Sequence, residues 1–105
     1  MNRFGGFGGG NMQAMMRQAQ KMQQDAMRAK EELENTVFEG SASGGLVKVE
    51  INGAYEMQGV KINPSVVDPD DVEMIEDLIV AAYNDAVAKV EEVKSSKLGA
   101  FGGLI

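Results

Sequence analysis

Three cationic side chains have the spacing of one chemical surface. Arg17, Lys21 and Arg28 fall within about 40° of one another on a helical wheel that turns about 100° per residue. Amide side chains flank this stripe: Gln13, Gln20 and Gln24. Arg and Lys form charge-assisted hydrogen bonds to phosphate oxygens, and Gln adds neutral ones. The stripe predicts a ridge that contacts phosphates, and the alternative interpretation is an ordinary solvated helix face.

The residue types present argue against an enzyme. The chain has no His and no Cys, which supply most general bases, thiol nucleophiles and soft metal ligands near neutral pH. Its carboxylates fall on predicted helix faces and caps, away from any apolar pocket. Asp68, Asp70 and Asp71 lack the spacing and the glycine of a calcium loop. We therefore predict no catalytic residues, no metal, no cofactor and no small-molecule substrate.

Charge is unevenly distributed along the 105 residues, whose net charge is -6. Residues 1–30 hold five basic side chains and one acidic side chain, a net charge of +4. Residues 31–105 hold five basic and 15 acidic side chains, a net charge of -10. A net acidic chain argues against a protein that wraps DNA over its whole surface. The positive charge is nevertheless concentrated on one predicted element.

The sequence predicts a cytoplasmic protein without a membrane anchor. No stretch reaches the ~20 apolar residues of a membrane span, and the first residues do not form the apolar region of a signal peptide. The absence of Cys fits a reducing compartment.

The cationic stripe lies on a predicted long helix from Asn11 to Glu34. This segment has no Gly, Pro or β-branched residue and is rich in good helix formers. Its apolar residues alternate steps of three and four, which is a heptad seam: Met12, Met15, Ala19, Met22, Ala26, Ala29 and Leu33. Because such a seam requires a helical partner, we predict a dimer interface at Met12, Met15, Ala19 and Met22. Two further methionines, Met16 and Met27, lie beside the seam and could form an adaptable partner surface.

Three short strands are predicted after this helix. Val47, Val49 and Ile51 alternate with polar residues, as a half-buried strand requires. Asn52-Gly53 is typical of a tight hairpin with positive φ angles, and the segment from Tyr55 to Ile62 returns with Val60 and Ile62 inward and a bulge at Gly59. The segment from Thr36 to Ala42 is a weaker strand that Ser43-Gly44-Gly45 closes, which gives an antiparallel three-stranded meander.

A second long helix is predicted to follow. Asp68 is the expected N-cap with Pro69 at the first helical position, and Lys97 lies in the last turn before Gly99. The fold class is therefore α+β with the order α-β-β-β-α.

Glycine-rich segments at both ends predict flexible tails at 1–10 and 99–105 around one domain at 11–98.

Four segments resemble the YbaB/EbfC family of bacterial nucleoid-associated proteins. They run from Gln18 to Gln23, from Gly45 to Ala54, over Asn63-Pro64-Ser65, and from Glu73 to Ala86. The resemblance implies a tweezer-like homodimer, with helices that project from a sheet-containing core, that binds double-stranded DNA and associates with the nucleoid. It also implies an architectural or regulatory role without enzymatic activity.

The family's DNA contacts are attributed to basic side chains on the projecting helices. By this resemblance the DNA-binding residues here are Arg17, Lys21, Arg28, Lys30, Lys89, Lys94 and Lys97. This chain is poorer in base than several relatives, because Gln58-Gly59 and Ala88-Lys89 stand where arginine pairs can occur. The alternative function is a protein-interaction module that holds a replication or recombination partner without direct DNA binding.

Overall fold

The computed structural model describes residues 2–99, with side chains described for residues 11–97 and 99. The principal elements are the helix α1 (Asn2–Glu34), the strands β1 (Val37–Ala42), β2 (Val47–Asn52) and β3 (Met57–Ile62), and the helix α2 (Val72–Leu98). Short 3-10 turns at Ser43–Gly45 and Pro64–Val66 precede β2 and α2. The predicted α-β-β-β-α order is confirmed. The protein is elongated, with principal extents of 84 × 17 × 16 Å.

The backbone of α1 begins at Asn2, earlier than the predicted start at Asn11. The predicted division into tails at 1–10 and 99–105 around a domain at 11–98 stays a prediction. The side chains of residues 1–10 and all of residues 100–105 lie outside the described residues. Within residues 2–99, neither helix is apolar enough over a sufficient length to cross a membrane.

The sheet is an antiparallel meander in the order β1-β2-β3. Cross-strand partners share a face of the sheet, and Val49 faces both Gly40 on β1 and Val60 on β3. The register between β2 and β3 shifts after Glu50, which pairs with Gly59, whereas the next residue of β2 pairs with Met57. The bulge predicted at Gly59 therefore lies where the sequence placed it.

The hairpin between β2 and β3 differs from the predicted tight turn. Positive φ falls on Tyr55, at 67°, and not on Gly53. The side-chain oxygen of Asn52 accepts hydrogen bonds from the backbone N–H groups of Ala54, at 2.9 Å, and Glu56, at 3.0 Å, which closes a wider loop. Gly53 is required for a different reason, because a Cβ there would overlap the backbone carbonyl of Leu33 at the end of α1.

The predicted N-cap of α2 is also wrong by one turn. The carboxylate of Asp71 accepts a hydrogen bond from the backbone N–H of Met74 at 3.2 Å, so the helix begins at Val72. The carboxylate of Asp68 instead accepts from the N–H of Asp70 at 2.9 Å. Asp68 thus closes a turn around Pro69 before the helix and does not cap the helix. An Asp carboxylate can accept a hydrogen bond from the backbone of a turn as well as from that of a helix start.

One hydrophobic core joins the sheet to α2 and to the end of α1. It contains the inward residues of β2 and the small inward residues of α2, all fully buried: Val47, Val49, Ile51, Ala82, Ala86 and Val90. Leu33 brings α1 into the same core. A Cβ on Gly40 of β1 would overlap the backbone of Ala82 and Ala86, so glycine allows α2 to lie directly against the strand.

The core face of the sheet remains open at β3. Val60 and Ile62 lie opposite the fully buried Val49 and Val47, so they occupy the core side as predicted. They are nevertheless 39% and 38% exposed, because α2 packs mainly on β1 and β2. The predicted inward direction is correct, but the described chain covers these side chains only in part.

Replacing Gly40 by Ala should strongly destabilise the fold, because the new Cβ would overlap the α2 backbone, which cannot move aside as a flexible side chain could. Overpacking of this kind costs at least about 2 kcal/mol and should lower the melting temperature by at least about 8 °C. Thermal unfolding followed by circular dichroism measures this change.

Gly59→Ala is the matched control, because its Cβ would meet nothing within 4 Å. It should change the stability by less than about 0.5 kcal/mol. Equal effects of the two substitutions would show that α2 does not lie directly against β1 at Gly40.

Candidate nucleic-acid interface

The first half of α1 extends past the core as an exposed arm. Every residue from Asn11 to Gln24 is exposed, and we call this segment the arm. Arg17 and Lys21 lie one helical turn apart on it, so their charged groups share a face. Among the described residues, neither has a carboxylate within ion-pair distance. Both cations are therefore available to an anionic ligand.

Arg28 continues the same face at the base of the arm. The predicted ridge from Arg17 to Arg28 is about 16 Å long at 1.5 Å per residue. The guanidinium of Arg28 lies 3.7 Å from the carboxylate of Asp25, an exposed pair of the kind that contributes little to stability. A shallow depression beside it is lined by Gln20, Gln23, Gln24, Met27, Arg28 and Glu31. The structure thus gathers the predicted cations and amides on one surface.

Lys30 lies apart from the ridge and is 4.0 Å from the carboxylate of Glu34 on the next turn. This exposed pair leaves the Lys30 ammonium accessible to solvent.

The lysines of α2 have different surroundings from those of the arm. Lys89 donates a hydrogen bond of 2.7 Å to the backbone carbonyl of Glu39 and lies 3.8 Å from Asp85. Asp85 in turn accepts a hydrogen bond of 2.9 Å from the backbone N–H of Ser41. These bonds join α2 to β1. Lys97 is exposed in the last turn of α2.

Lys94 lies over an aromatic ring that no sequence pattern had singled out. Its ammonium lies 5.6 Å from the centroid of the Tyr55 ring, within the range of a cation–π interaction. The Tyr55 hydroxyl donates to the carboxylate of Glu91, and Tyr83 donates a hydrogen bond of 3.3 Å to the Tyr55 carbonyl. The hydrogen bond to Glu91 raises the pKa of Tyr55, with burial and the negative charge of Glu91 acting in the same direction.

This cluster lies next to the hairpin loop that contacts the C-terminal end of α1. Tyr55 belongs to the hairpin whose Gly53 contacts Leu33 of α1, and Glu91 and Lys94 lie on α2. The hairpin therefore contacts both helices. Residues 36 positions apart come together here, and no local spacing pattern could have predicted the contact.

The predicted seam changes its environment along α1. Ala26 and Leu33 are buried, whereas Met12, Met15 and Met22 on the same stripe are exposed. Ala19 is also exposed. Five methionines of α1 are between 47% and 63% exposed: Met12, Met15, Met16, Met22 and Met27. The apolar stripe that packs into the core thus continues without interruption onto the arm, where the described chain has nothing to cover it.

The polar and charged side chains of the described residues lie at the surface or half-buried. The described residues contain no buried polar or charged side chain and no group of three or more carboxylates arranged to hold a metal ion. The arm instead presents cations on one face and an apolar seam about 170° around the helix.

Comparison with known proteins identifies the family of this chain. A family model described as the YbaB/EbfC DNA-binding family matches residues 8–104. A nucleoid-associated protein of Clostridium botulinum is 50% identical over 99 residues, which cover 94% of this chain and 88% of that protein. A nucleoid-associated protein of Pelotomaculum thermopropionicum is 48% identical over 95 residues, or 90% of each chain.

A solved structure shows the same fold. An uncharacterized protein from Helicobacter pylori superposes with a TM-score of 0.68 at 24% identity, covering 85% of this chain and 94% of that one. The resemblance found in the sequence is confirmed by the family model and by relatives about half identical over most of their length. The chain belongs to the YbaB/EbfC DNA-binding family.

Proposed function

We propose that this chain is a nucleoid-associated protein that binds double-stranded DNA as a homodimer, mainly through backbone phosphates. The observation that supports this most directly is a pair of exposed cations, Arg17 and Lys21, on an arm that projects from an acidic body. Neither cation has an ion-pair partner within the part of the chain that the structure describes. Arg28 extends this surface at the base of the arm. The relatives named nucleoid-associated proteins support the same conclusion.

The separation of charge orients the protein on DNA. Residues 1–30 carry a net charge of +4 and residues 31–105 a net charge of -10. Because like charges repel, the body is held away from the phosphates while the arm is attracted to them. A short ridge with few cations positions phosphates but makes few base contacts, so binding depends little on DNA sequence. This behaviour suits an architectural or regulatory role.

The other predicted cations have secondary roles in this proposal. Lys97 and Lys30 are accessible and add to the positive field near bound DNA. Lys89 and Lys94 are engaged with Glu39 and Tyr55 within the protomer, and a phosphate would have to compete with those contacts.

The exposed seam is the basis for the homodimer. An isolated helix of the arm's length is marginally stable in water, and most helical stability in proteins comes from packing of an apolar face. A second copy supplies an identical seam, so Met12, Met15, Ala19 and Met22 of the two protomers can form a self-complementary contact. Pairing of this kind gives a dimer whose cationic ridges face outward.

The location that follows from this proposal is the cytoplasm, in association with the nucleoid.

The alternative function is that of a protein-interaction module whose arm holds a replication or recombination partner. The concentration of cations on the arm favours DNA as the partner, since a methionine-rich surface that adapts to a protein partner needs no positive charge.

The salt dependence of duplex binding tests the phosphate contacts. If three cations in each of two protomers contact phosphates, the logarithm of affinity should fall against the logarithm of salt concentration with a slope of about -5, whatever the DNA sequence. Replacing both Arg17 and Lys21 by Glu should abolish binding without changing the circular dichroism spectrum. Fluorescence anisotropy with labelled duplexes measures both effects.

The double replacement of Lys48 and Lys61 by Glu is the control. These lysines face each other across β2 and β3, and their replacement changes the net charge by the same amount as the arm variant. It should weaken binding far less, because long-range repulsion is screened beyond about 10 Å at 0.1 M salt. Absence of duplex binding by the unmodified protein at ~50 mM salt would reject the proposal and support the protein-interaction module.

The dimer is tested by charging the seam. Replacing both Met15 and Met22 by Glu should separate the protomers, because paired seams would bury carboxylates without partners. Light scattering coupled to gel filtration should then give the protomer mass of 11.3 kDa instead of twice that value. The replacement of both Met16 and Met27 by Glu adds the same charge beside the seam and should leave a dimer. If both variants behave alike, the seam is not the interface.

A further inference from the structure

The methionines of this chain are segregated from its core. Of the eight methionines, five with described side chains lie on α1, one on β3 at Met57 and one on α2 at Met74. The buried hydrophobic residues of the described chain are Ala, Leu, Phe, Val and Ile, without a single Met. Since the chain has no Cys, the thioethers are its only sulfur groups, and most of them are on one exposed helix surface.

Exposed thioethers react with hydroperoxides. The lone pair of the sulfur attacks the OH oxygen of the peroxide, the O–O bond breaks, and a sulfur–oxygen bond forms. The proton of the attacked oxygen moves to the other oxygen, which leaves as water from hydrogen peroxide or as an alcohol from an organic hydroperoxide. The sulfur is oxidised by two electrons and the peroxide is reduced by two. The product, methionine sulfoxide, is polar where the thioether was apolar, and sulfoxide reductases reverse the reaction.

We propose that Met12, Met15, Met16, Met22 and Met27 form a reversible oxidation site, at which hydroperoxides oxidise protomers that have separated, prevent their arms from pairing again and so release DNA. The modification follows from the exposure of these thioethers in the single protomer, at 47–63% of each residue. Its effect on assembly and DNA rests on the proposed function.

The effect on assembly follows from the position of the seam. Met12, Met15 and Met22 lie on it, so their sulfoxides would place strong dipoles inside a paired helix contact, where a polar group without a partner is costly. The charges of Arg17 and Lys21 do not change. DNA affinity should therefore fall because two arms no longer act together, although each arm retains its cations.

The seam also determines when oxidation can occur. Met16 and Met27 lie beside the seam and stay accessible in a paired dimer, whereas Met12, Met15 and Met22 become accessible when the protomers separate. Oxidation of the three seam methionines should accordingly slow as protein concentration rises. Oxidation of Met16 should not depend on protein concentration.

The body should survive the modification. Its fully buried side chains, among them Val47, Ile51 and Val90, cannot form sulfoxides. Oxidation therefore acts on the arm as a local chemical change and leaves the fold that carries the arm in place.

The experiment treats the full-length protein with hydrogen peroxide and follows it by peptide mass spectrometry, light scattering and duplex binding. Sulfoxide should appear on the α1 methionines before the half-buried Met74. The dimer mass should fall to that of the protomer, and affinity for a duplex should fall at least about tenfold through loss of bivalent binding. Sulfoxide reductases acting on both epimers, with dithiothreitol, should restore both properties.

Two variants test which methionines make dimerisation and DNA binding sensitive to peroxide. Replacing the five α1 methionines by Leu keeps apolar volume and helix propensity, so this protein should dimerise and bind DNA but ignore peroxide. Replacing Met57 and Met74 by Leu should leave the sensitivity unchanged. Sensitivity that persists in the five-Leu protein, or an α1 that is fully oxidised while dimer mass and affinity stay constant, would overturn the proposal.

Failure of the unoxidised protein to bind duplex DNA would count against the proposed function alone, because dimer mass still reports the effect of oxidation. If the untreated protein is already monomeric and does not bind DNA, the release step is overturned. Mass spectrometry then still decides whether α1 is the preferred site of oxidation.

Discussion

The contact between α2 and β1 determines how the other elements can be arranged. Gly40 removes the side chain that would hold the helix away, and Ala82 and Ala86 present small surfaces to the strand. The helix axis is thereby brought close to one side of the sheet, and Lys89 and Asp85 fix it there through bonds to the β1 backbone. Since one helix at this position spans only part of three strands, β3 keeps its inward side chains half covered.

Only the C-terminal part of α1 packs in the core, through Leu33 and the half-buried Ala29, and the hairpin closes over it at Gly53. The remaining turns continue away from the body, which accounts for a length of 84 Å in a chain of 105 residues. A helix with one end fixed and an apolar stripe along its free part is suited to association with another helix.

The two faces of the arm separate the two properties on which the proposed function depends. One face carries Arg17 and Lys21 toward solvent, and the opposite face carries the methionine seam. In that proposal, charge on the first face attracts phosphate, whereas apolar area on the second drives pairing. In the proposed mechanism, a chemical change on one face can alter assembly without touching the cations on the other.

The element order, the strand alternation and the two faces of α1 could be predicted from the sequence, because these follow from local periodicity and residue propensity. Three features emerge only in the folded chain: Asp71 caps α2, Tyr55 rather than Gly53 adopts positive φ, and Lys94 lies over an aromatic ring. Competing local hydrogen bonds could occur at either Asp68 or Asp71, and sequence periodicity does not choose between them. The need for Gly40 and Gly53, the half-covered β3 and the contacts of Lys89 depend on which backbones lie side by side. Such contacts join residues distant along the chain, so no local pattern encodes them.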